Sequence, residues 1–331
     1  MPVELSFDRF DGTADGPRVV VLHGLFGSKR NWRAVARDFA ARDLAVRDSV
    51  SQDFAPQENV EGPRATVFTV DLRHHGDSPN QGPFNLEEMA ADVCAFIETA
   101  AAGGPVTLLG HSLGGKVAVL ALQQRPQLIE RLILVDITPF RLPEALCSEL
   151  QEVVAALQEL QAGLQSSLQS SPAALESRRA AEELLERRIA SPEVVQFLLH
   201  NLRRSDEGRL QLQLGVEAIA ADFAQSCREV LPEGGPSIAA KGTSENGENG
   251  EEVLGAGKAD VQEGWRDVPL CTISGGGSGY MPAEHFEALS RWFRRQDHRT
   301  IENAGHWLHV EQKEEFLHIL GDVFGGFAGK T

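Results

Sequence analysis

A serine at position 112 lies in the pattern Gly-x-Ser-x-Gly, which reads GHSLG over residues 110–114. The pattern directly follows an apolar, β-branched run at 106–110 and precedes a stretch with helical periodicity. A strand-to-helix turn of this kind exposes a serine hydroxyl for attack on an acyl carbon, and its glycines let the strand and the helix approach closely. The pattern therefore predicts Ser112 as a covalent nucleophile. The alternative is an ordinary glycine-rich turn between a strand and a helix.

Two backbone N–H groups near this serine can bind the negative charge that develops on the attacked oxygen. Leu113 begins the helix after the serine, where free N–H groups and the positive end of the helix dipole favour an anion. A second apolar run ends in HGLFG at 23–27, and Leu25 N–H in this loop is the second candidate donor. Phe26, next to it, is a candidate for substrate contact, with core packing as the alternative.

A serine needs a general base, and histidine is the usual one because it titrates near neutral pH. Of the ten histidines, His306 follows the last predicted strand, in NAGHW at 303–307. It also comes late in the chain, after the serine and the candidate acid, which is the order found where the serine lies in a strand-to-helix turn of this kind. His309 is the nearest alternative, although its place near the closing helix favours a packing role. His111 and Trp307 flank the predicted catalytic groups and are further candidates for substrate contact.

The acid of such a triad usually follows the strand before the last one. That loop reads GGGSGY at 275–280 and contains no carboxylate, and Glu284 is expected to lie already in the next helix. Asp136 instead ends the preceding strand, on the sheet edge where Ser112 and His306 are expected, and can orient the imidazole there. A strand-end aspartate that only caps a turn is the alternative for this residue. Glu217, from the middle of the chain, is the alternative acid.

The candidate residues follow short apolar runs that alternate with amphipathic stretches. Runs of strand type occupy 19–24, 66–72, 106–110, 131–137, 268–275 and 298–305. Stretches of helical type occupy 32–40, 86–101, 113–124 and 283–295, and a closing one contains residues 316–324. Strands this apolar, separated by helices, predict an α/β fold with a mostly parallel, buried central sheet and helices on both faces.

The chain divides by composition into a discontinuous core and several insertions. The α/β pattern covers 1–139 and 266–331, while 140–231 is rich in Leu, Gln, Ala, Glu and Arg and predicts an all-helical cap. The segment 232–265 is rich in Gly, Glu and Ser and cannot bury enough apolar surface to offset its ordering entropy, so it is predicted to be disordered. A shorter polar loop insertion is expected at 45–63.

Composition excludes several classes of protein. The 331 residues carry 48 acidic and 31 basic side chains, a formal net charge of −17, whereas nucleic-acid binders normally carry positive charge. No apolar run is long enough to span a membrane, and the four cysteines are too dispersed for a zinc site or a disulfide framework. The first residues resemble neither a signal peptide nor a transit peptide. We therefore expect an intracellular, most simply cytoplasmic, protein.

Together these motifs resemble the α/β-hydrolase superfamily, and in particular the serine esterases around alpha/beta hydrolase domain-containing protein 11 and their bacterial relatives. The resemblance rests on five segments, LHGLFGSKRNW (22–32), DLRHHGDSP (71–79), LLGHSLGGKVA (108–118), LVDITP (134–139) and NAGHWLH (303–309). It implies an α/β-hydrolase fold with a cap, and a triad of Ser112, an acid at Asp136 and His306. In some relatives the acid is assigned to the cap, at about the position of Glu217. The group also includes mitochondrial members.

The hypothesis from the sequence is a serine hydrolase that cleaves carboxylic esters or thioesters and needs no cofactor or metal. The resemblance extends the substrate class to glycerolipids. A ligand-binding receptor with little or no turnover on the same fold is the main alternative. A nucleotide-binding P-loop is a second, because GHSLGGK at 110–116 fits the first part of that motif, but it fails at Val117, where a hydroxyl should bind the metal. The oligomeric state is open.

Overall fold

A computed structural model describes residues 1–44, 62–166, 177–236 and 263–325. Its centre is a sheet of seven strands, β1 (Phe7–Phe10), β2 (Arg18–Leu22), β3 (Thr66–Val70), β4 (Val106–His111), β5 (Ile129–Val135), β8 (Leu270–Gly275) and β9 (Gln296–Ile301). Their order across the sheet is β1-β3-β2-β4-β5-β8-β9, in which β1 is antiparallel to β3 and the other neighbours are parallel. The predicted α/β class and mostly parallel sheet are confirmed.

Helices cover both faces of the sheet because successive side chains of each buried strand point to opposite sides. In β2, Val20 and Leu22 belong to one apolar core and Val19 and Val21 to the other. The core helices are α1 (Arg33–Ala40), α2 (Leu86–Thr99), α3 (Leu113–Gln124), α9 (Glu284–Ser290), α10 (Leu308–Glu311) and α11 (Lys313–Gly325). The first core is shared with α2 and α3, and the second with α1 and α11.

The strand β1 was not predicted, and its position explains why. It forms an edge of the sheet, pairs on one side only, and alternates between exposed and half-buried residues over four positions. Edge strands this short carry little apolar signal. The other core strands and helices overlap their predicted segments, and α3 occupies the predicted range. The largest differences are at the end of the chain, where β9 ends four residues before the predicted strand 298–305 does and α9 ends five residues before the predicted helix 283–295 does.

Where the structure describes the predicted cap, at 140–166 and 177–231, it is mostly helical, but the prediction that the cap is entirely helical is wrong. Its helices are α4 (Glu144–Ser166), α5 (Arg178–Glu186), α6 (Pro192–Leu199), α7 (Val216–Ala221) and α8 (Ala224–Cys227). Between α6 and α7 lies a hairpin of β6 (Leu202–Arg204) and β7 (Leu210–Leu212). Three-residue strands are too short to show a period of two, and Gly208, at φ 79°, is the one local sign of the turn.

Most of the predicted disordered segment 232–265, residues 237–262, lies outside the described residues, as do residues 45–61 of the predicted polar loop. At both ends of 232–265, described residues contact the core, which the prediction of a disordered segment did not include. Trp265 is buried and stacks on Trp292, whose indole N–H donates to Pro232 O. The aromatic residue at 265 and the apolar Leu231 just before the segment hold its ends against the core.

The parallel strands bring the candidate residues to one edge of the sheet. In such sheets the ligand site lies beyond the carboxyl ends of the strands. Ser112 follows β4, Asp136 follows β5, and His306 comes five residues after the end of β9. Within the described ranges, no helix is both long and apolar enough to cross a membrane.

Candidate active site

The turn after β4 has the geometry of a nucleophile elbow. Ser112 adopts φ 51° and ψ −123°, a conformation that L-residues rarely hold. The flanking glycines are needed because a Cβ on Gly110 would lie 2.4 Å from Gly114 O, and one on Gly114 would lie 2.6 Å from His23 O. The serine N–H donates to Val135 O at 3.1 Å, which ties the turn to the neighbouring strand.

The structure brings His306 and Asp136 together. His306 Nδ1 and Asp136 Oδ2 are 2.7 Å apart, so Nδ1 carries the proton and Nε2 is left as the acceptor nitrogen. His306 also reaches the elbow, because its backbone oxygen accepts a hydrogen bond from His111 Nε2 at 2.8 Å. Ser112 Oγ itself makes no hydrogen bond within the described ranges. Such bonds are often long in free enzymes and shorten when substrate is bound.

Asp136 is fully buried at φ 49°, and the loop after β8 satisfies its carboxylate. Gly275 N–H donates to Oδ1 at 3.1 Å, and the Ser278 hydroxyl donates to Oδ2 at 2.5 Å, the oxygen that also faces His306. The glycine-rich loop therefore supplies donors to a carboxylate that comes from the neighbouring strand. Sequence reasoning did not single out Ser278, although a hydroxyl in a loop without the expected acid was a usable signal.

The alternative acid is not bonded to this arrangement within the described residues. Glu217 is exposed in the first turn of α7, and the hydrogen bonds of the described residues do not join it to His306. Glu284 begins α9, as expected from the sequence. His309, the alternative base, is buried with its ring stacked on Trp32, the ring centroids lying 4.0 Å apart.

Aromatic side chains surround the imidazole. Tyr280 stacks on the His306 ring with centroids 3.7 Å apart and planes 15° apart, and burial raises the pKa of its phenol, so Tyr280 is neutral at ordinary pH. Trp307 contacts Phe197 of α6, with ring centroids 5.1 Å apart. Tyr280 was missed in the sequence because one aromatic residue in a glycine-rich loop has no periodic context.

The loop after β2 closely approaches the nucleophile. A Cβ on Gly24 would lie 2.9 Å from Ser112 Cβ, so only glycine fits there. Within the described ranges, neither Leu25 N–H nor Leu113 N–H donates to another protein group, which leaves both free for a ligand. Phe26 is buried at φ 60°, its N–H directed into the core towards His75.

Four buried histidines beneath the site are held neutral. Burial lowers the pKa of His23 to about 4 and those of His75 and His309 to about 3, and it lowers the pKa of His111 well below its usual 6.5. His23 illustrates how the neutral form is used: Nδ1–H donates to Gly24 O at 2.8 Å, and Nε2 accepts Leu72 N–H at 3.0 Å. A proton on Nε2 would break the second bond.

These lowered pKa values predict a loss of stability in mild acid. Below about pH 6.5 the unfolded chain binds protons that the folded state excludes, so each such histidine costs about 1.4 kcal/mol per pH unit until the pH reaches its folded pKa. Four together offset an ordinary stability of about 5–15 kcal/mol within about two pH units. Denaturant unfolding between about pH 7.5 and 4.5 measures the slope.

The test variant for this measurement is His309→Phe, and His318→Gln is its control. Phenylalanine keeps a ring against Trp32 but cannot titrate, so the slope should fall by about a quarter. His318 is 75% exposed, and its replacement should leave the slope unchanged. A stability that does not vary between about pH 6.5 and 4.5 would contradict the prediction.

The P-loop alternative depends on Lys116, and the structure gives this residue another role. Its side chain is fully buried, and Nζ donates to Ser226 O at 3.3 Å and Arg228 O at 2.6 Å at the end of α8. Burial lowers its pKa to about 8. The amine therefore binds backbone carbonyls where a P-loop lysine would bind phosphate. Within the described residues, no group of three or more His, Cys, Asp or Glu side chains could hold a metal ion.

Similarity to known proteins agrees with this geometry. A family model described as alpha/beta hydrolase fold matches residues 17–313. The chain belongs to the alpha/beta hydrolase family. It is 30% identical over 319 residues to the sn-1-specific diacylglycerol lipase ABHD11 of Xenopus tropicalis, covering 96% of this chain and 81% of the relative. The resemblance predicted from the motifs is thereby confirmed.

Two more distant similarities extend the comparison. The hydrolase is 23% identical to the ethanol acetyltransferase 1 of Cyberlindnera fabianii, covering 98% of this chain and 84% of that relative. Among solved structures, a marine microorganism esterase superposes with a TM-score of 0.70 at 23% identity, covering 96% of this chain and 98% of the other. At this identity the superposition supports the fold alone.

Proposed function

We propose that this hydrolase cleaves carboxylic esters through an acyl-enzyme on Ser112. The observation that carries the proposal is the bonded pair of His306 and buried Asp136, joined through His111 to a serine in a strained strand-to-helix turn. A turn that only connects a strand to a helix needs neither the strained serine nor a buried histidine–carboxylate pair.

In the proposed mechanism, Ser112 Oγ attacks the acyl carbon while His306 Nε2 takes its proton. Asp136 accepts from Nδ1–H, which holds the ring in the required tautomer and stabilises the imidazolium. The N–H groups of Leu25 and Leu113 bind the oxyanion. The C–O bond then breaks, and His306 gives its proton to the departing alkoxide. Water attacks the acyl-enzyme with His306 again as base, which releases the acid and restores the serine.

The surroundings of the site favour an uncharged, apolar ester. The aromatic rings of Tyr280 and Trp307 lie beside His306, and Phe197 of α6 contacts Trp307. The similarity to a diacylglycerol lipase supports glycerolipid esters within this class, and thioesters share the same acyl chemistry. Phe26 and His111, both buried beside the loop and the serine, serve in this proposal mainly to shape the site.

The test is the intact mass after reaction with a fluorophosphonate, followed by a panel of p-nitrophenyl esters. We expect a single adduct, located by peptide mapping at Ser112, no adduct on Ser112→Ala, and turnover of the esters by the wild type. A folded wild type that neither reacts nor turns over would overturn the proposal and favour the receptor alternative. An adduct elsewhere would assign the nucleophile to another residue.

A further inference from the structure

The loop that carries Leu25 is a tight turn in a strained form. Gly27 N–H donates to Gly24 O at 3.0 Å, which closes a β-turn over residues 24–27. Leu25 has negative φ whereas Phe26 has φ 60°, the combination of a type II turn. That turn favours glycine or asparagine at its third position, and another residue there costs about 1–3 kcal/mol. The surroundings must therefore hold Phe26 in place.

Two buried side chains form hydrogen bonds with the backbone of Phe26, one with its N–H and one with its carbonyl. Its N–H donates to His75 Nε2 at 3.3 Å, and His75 Nδ1–H donates in turn to Arg73 O at 2.9 Å, which orients the ring. Its carbonyl accepts from Asn201 Nδ2 at 2.8 Å. Both side chains are almost fully buried, so water does not readily replace either bond.

The two side chains come from different parts of the fold. His75 follows β3 and belongs to the core, whereas Asn201 lies between α6 and β6 in the inserted segment. Asn201 is held by its own neighbours: Nδ2 also reaches Leu198 O at 3.2 Å, and its backbone oxygen accepts from Gln213 N–H at 2.9 Å. The inserted segment thus contacts the backbone of the loop through an oriented amide.

We propose that Asn201 is a positioning residue through which the inserted segment fixes the oxyanion donor Leu25 N–H. The inference rests on the proposed function. Leu25 and Phe26 are the two central residues of one turn, so a shift of Phe26 towards negative φ moves the backbone on both sides of it. An oxyanion donor acts only within a narrow range of distance from the oxygen, about 2.7–3.1 Å. The bond from Asn201 opposes that shift.

The test compares wild type, Asn201→Ala and Asn201→Asp on a p-nitrophenyl ester and on the matching thionoester, whose C=S replaces C=O. Alanine removes the donor, and aspartate sets a carboxylate against Phe26 O. We expect kcat on the oxygen ester to fall by about 10-fold for alanine, short of the 10²–10³ lost with an entire oxyanion donor. KM should stay within about twofold.

The ratio of kcat/KM for the oxygen ester to kcat/KM for the thionoester distinguishes a displaced oxyanion donor from a general loss of packing. Sulfur is a poorer hydrogen-bond acceptor than oxygen, so a displaced donor slows the oxygen ester more than the thionoester. We expect the oxygen-to-sulfur ratio of kcat/KM to fall by about fivefold or more in both variants. Asn80→Asp, an exposed substitution of the same kind, should leave rates and ratio unchanged. Should the aspartate variant not fold, the alanine variant carries the test.

The outcomes distinguish this proposal from the one it rests on. If the folded wild-type protein shows neither ester turnover nor fluorophosphonate labelling, the proposed function is overturned. Active wild type with an unchanged ratio in Asn201→Ala overturns the positioning role, whether or not its stability falls. An equal loss of rate on both esters also overturns it, since that result assigns Asn201 to packing around the turn.

Discussion

Replacing His306 by glutamine should lower kcat on a p-nitrophenyl ester by about 10⁶-fold, because the serine then has no group to take its proton. Glutamine keeps a polar side chain beside Asp136 but is not a base. The two residues of the pair act as one unit, so Ser112→Ala added to His306→Gln should cost nothing further. Steady-state rates of the two single variants and the double variant, measured with active-site titration of the wild type, check both expectations.

His309→Gln is the matched control for this change. His309 lies three residues away, also contacts His111, and stacks on Trp32 in the core. Its replacement should lower stability while the rate per folded molecule falls by less than about 10-fold. A loss in His309→Gln as large as in His306→Gln would assign the base to His309 and contradict the proposed mechanism.

Replacing Asp136 by asparagine should lower kcat by about 10⁴-fold. The amide has the shape of the carboxylate but can turn an N–H towards His306, and the imidazole then adopts the wrong tautomer and its cation loses its partner. The amide oxygen should still accept from Gly275 N–H, and the Ser278 hydroxyl can turn to accept from the amide N–H, so the protein should still fold. The rate of fluorophosphonate labelling, which follows the nucleophilicity of Ser112, should fall in parallel with kcat.

Glu217→Gln decides between the two candidate acids. Glu217 is exposed on α7, so its amide variant should keep kcat within about twofold of the wild type. If Glu217→Gln loses activity while Asp136→Asn retains it, the acid comes from the inserted segment and our assignment is wrong. Loss in both variants would require a conformation in which α7 closes over the site.

The sequence carries strong information where one short pattern determines both local geometry and chemistry. Ser112 could be predicted because two glycines at fixed spacing mark the turn, and a buried strand precedes them. The position of Asp136 beside His306 could be expected because it ends a strand at the same sheet edge and the loop at 275–280 has no carboxylate, although Glu217 stayed an alternative acid. In both cases the residue adjoins a strand whose apolar run is unambiguous, and the parallel sheet then places the strand ends together.

Residues that act through long-range contacts could not be predicted in this way. Ser278 donates to a carboxylate in a neighbouring strand, and Asn201 donates to a loop 175 residues away in the chain. Neither contact has a local pattern, because each depends on how separate segments pack. The hairpin β6–β7 was missed for a related reason, since three-residue strands are stabilised by tertiary contacts rather than by their own sequence.

The placement of β5 has a consequence for the synthesis of the chain. Val135 of β5 pairs with Ile273 of β8, so this central strand has no partner on that side until the later part of the chain is made. At about 5–20 residues per second, the synthesis of the roughly 140 intervening residues takes about 7–28 s. Over that interval an apolar strand edge stays open to other chains. The nascent protein therefore has most need of a chaperone between the synthesis of Asp136 and that of Gly275, the last residue of β8.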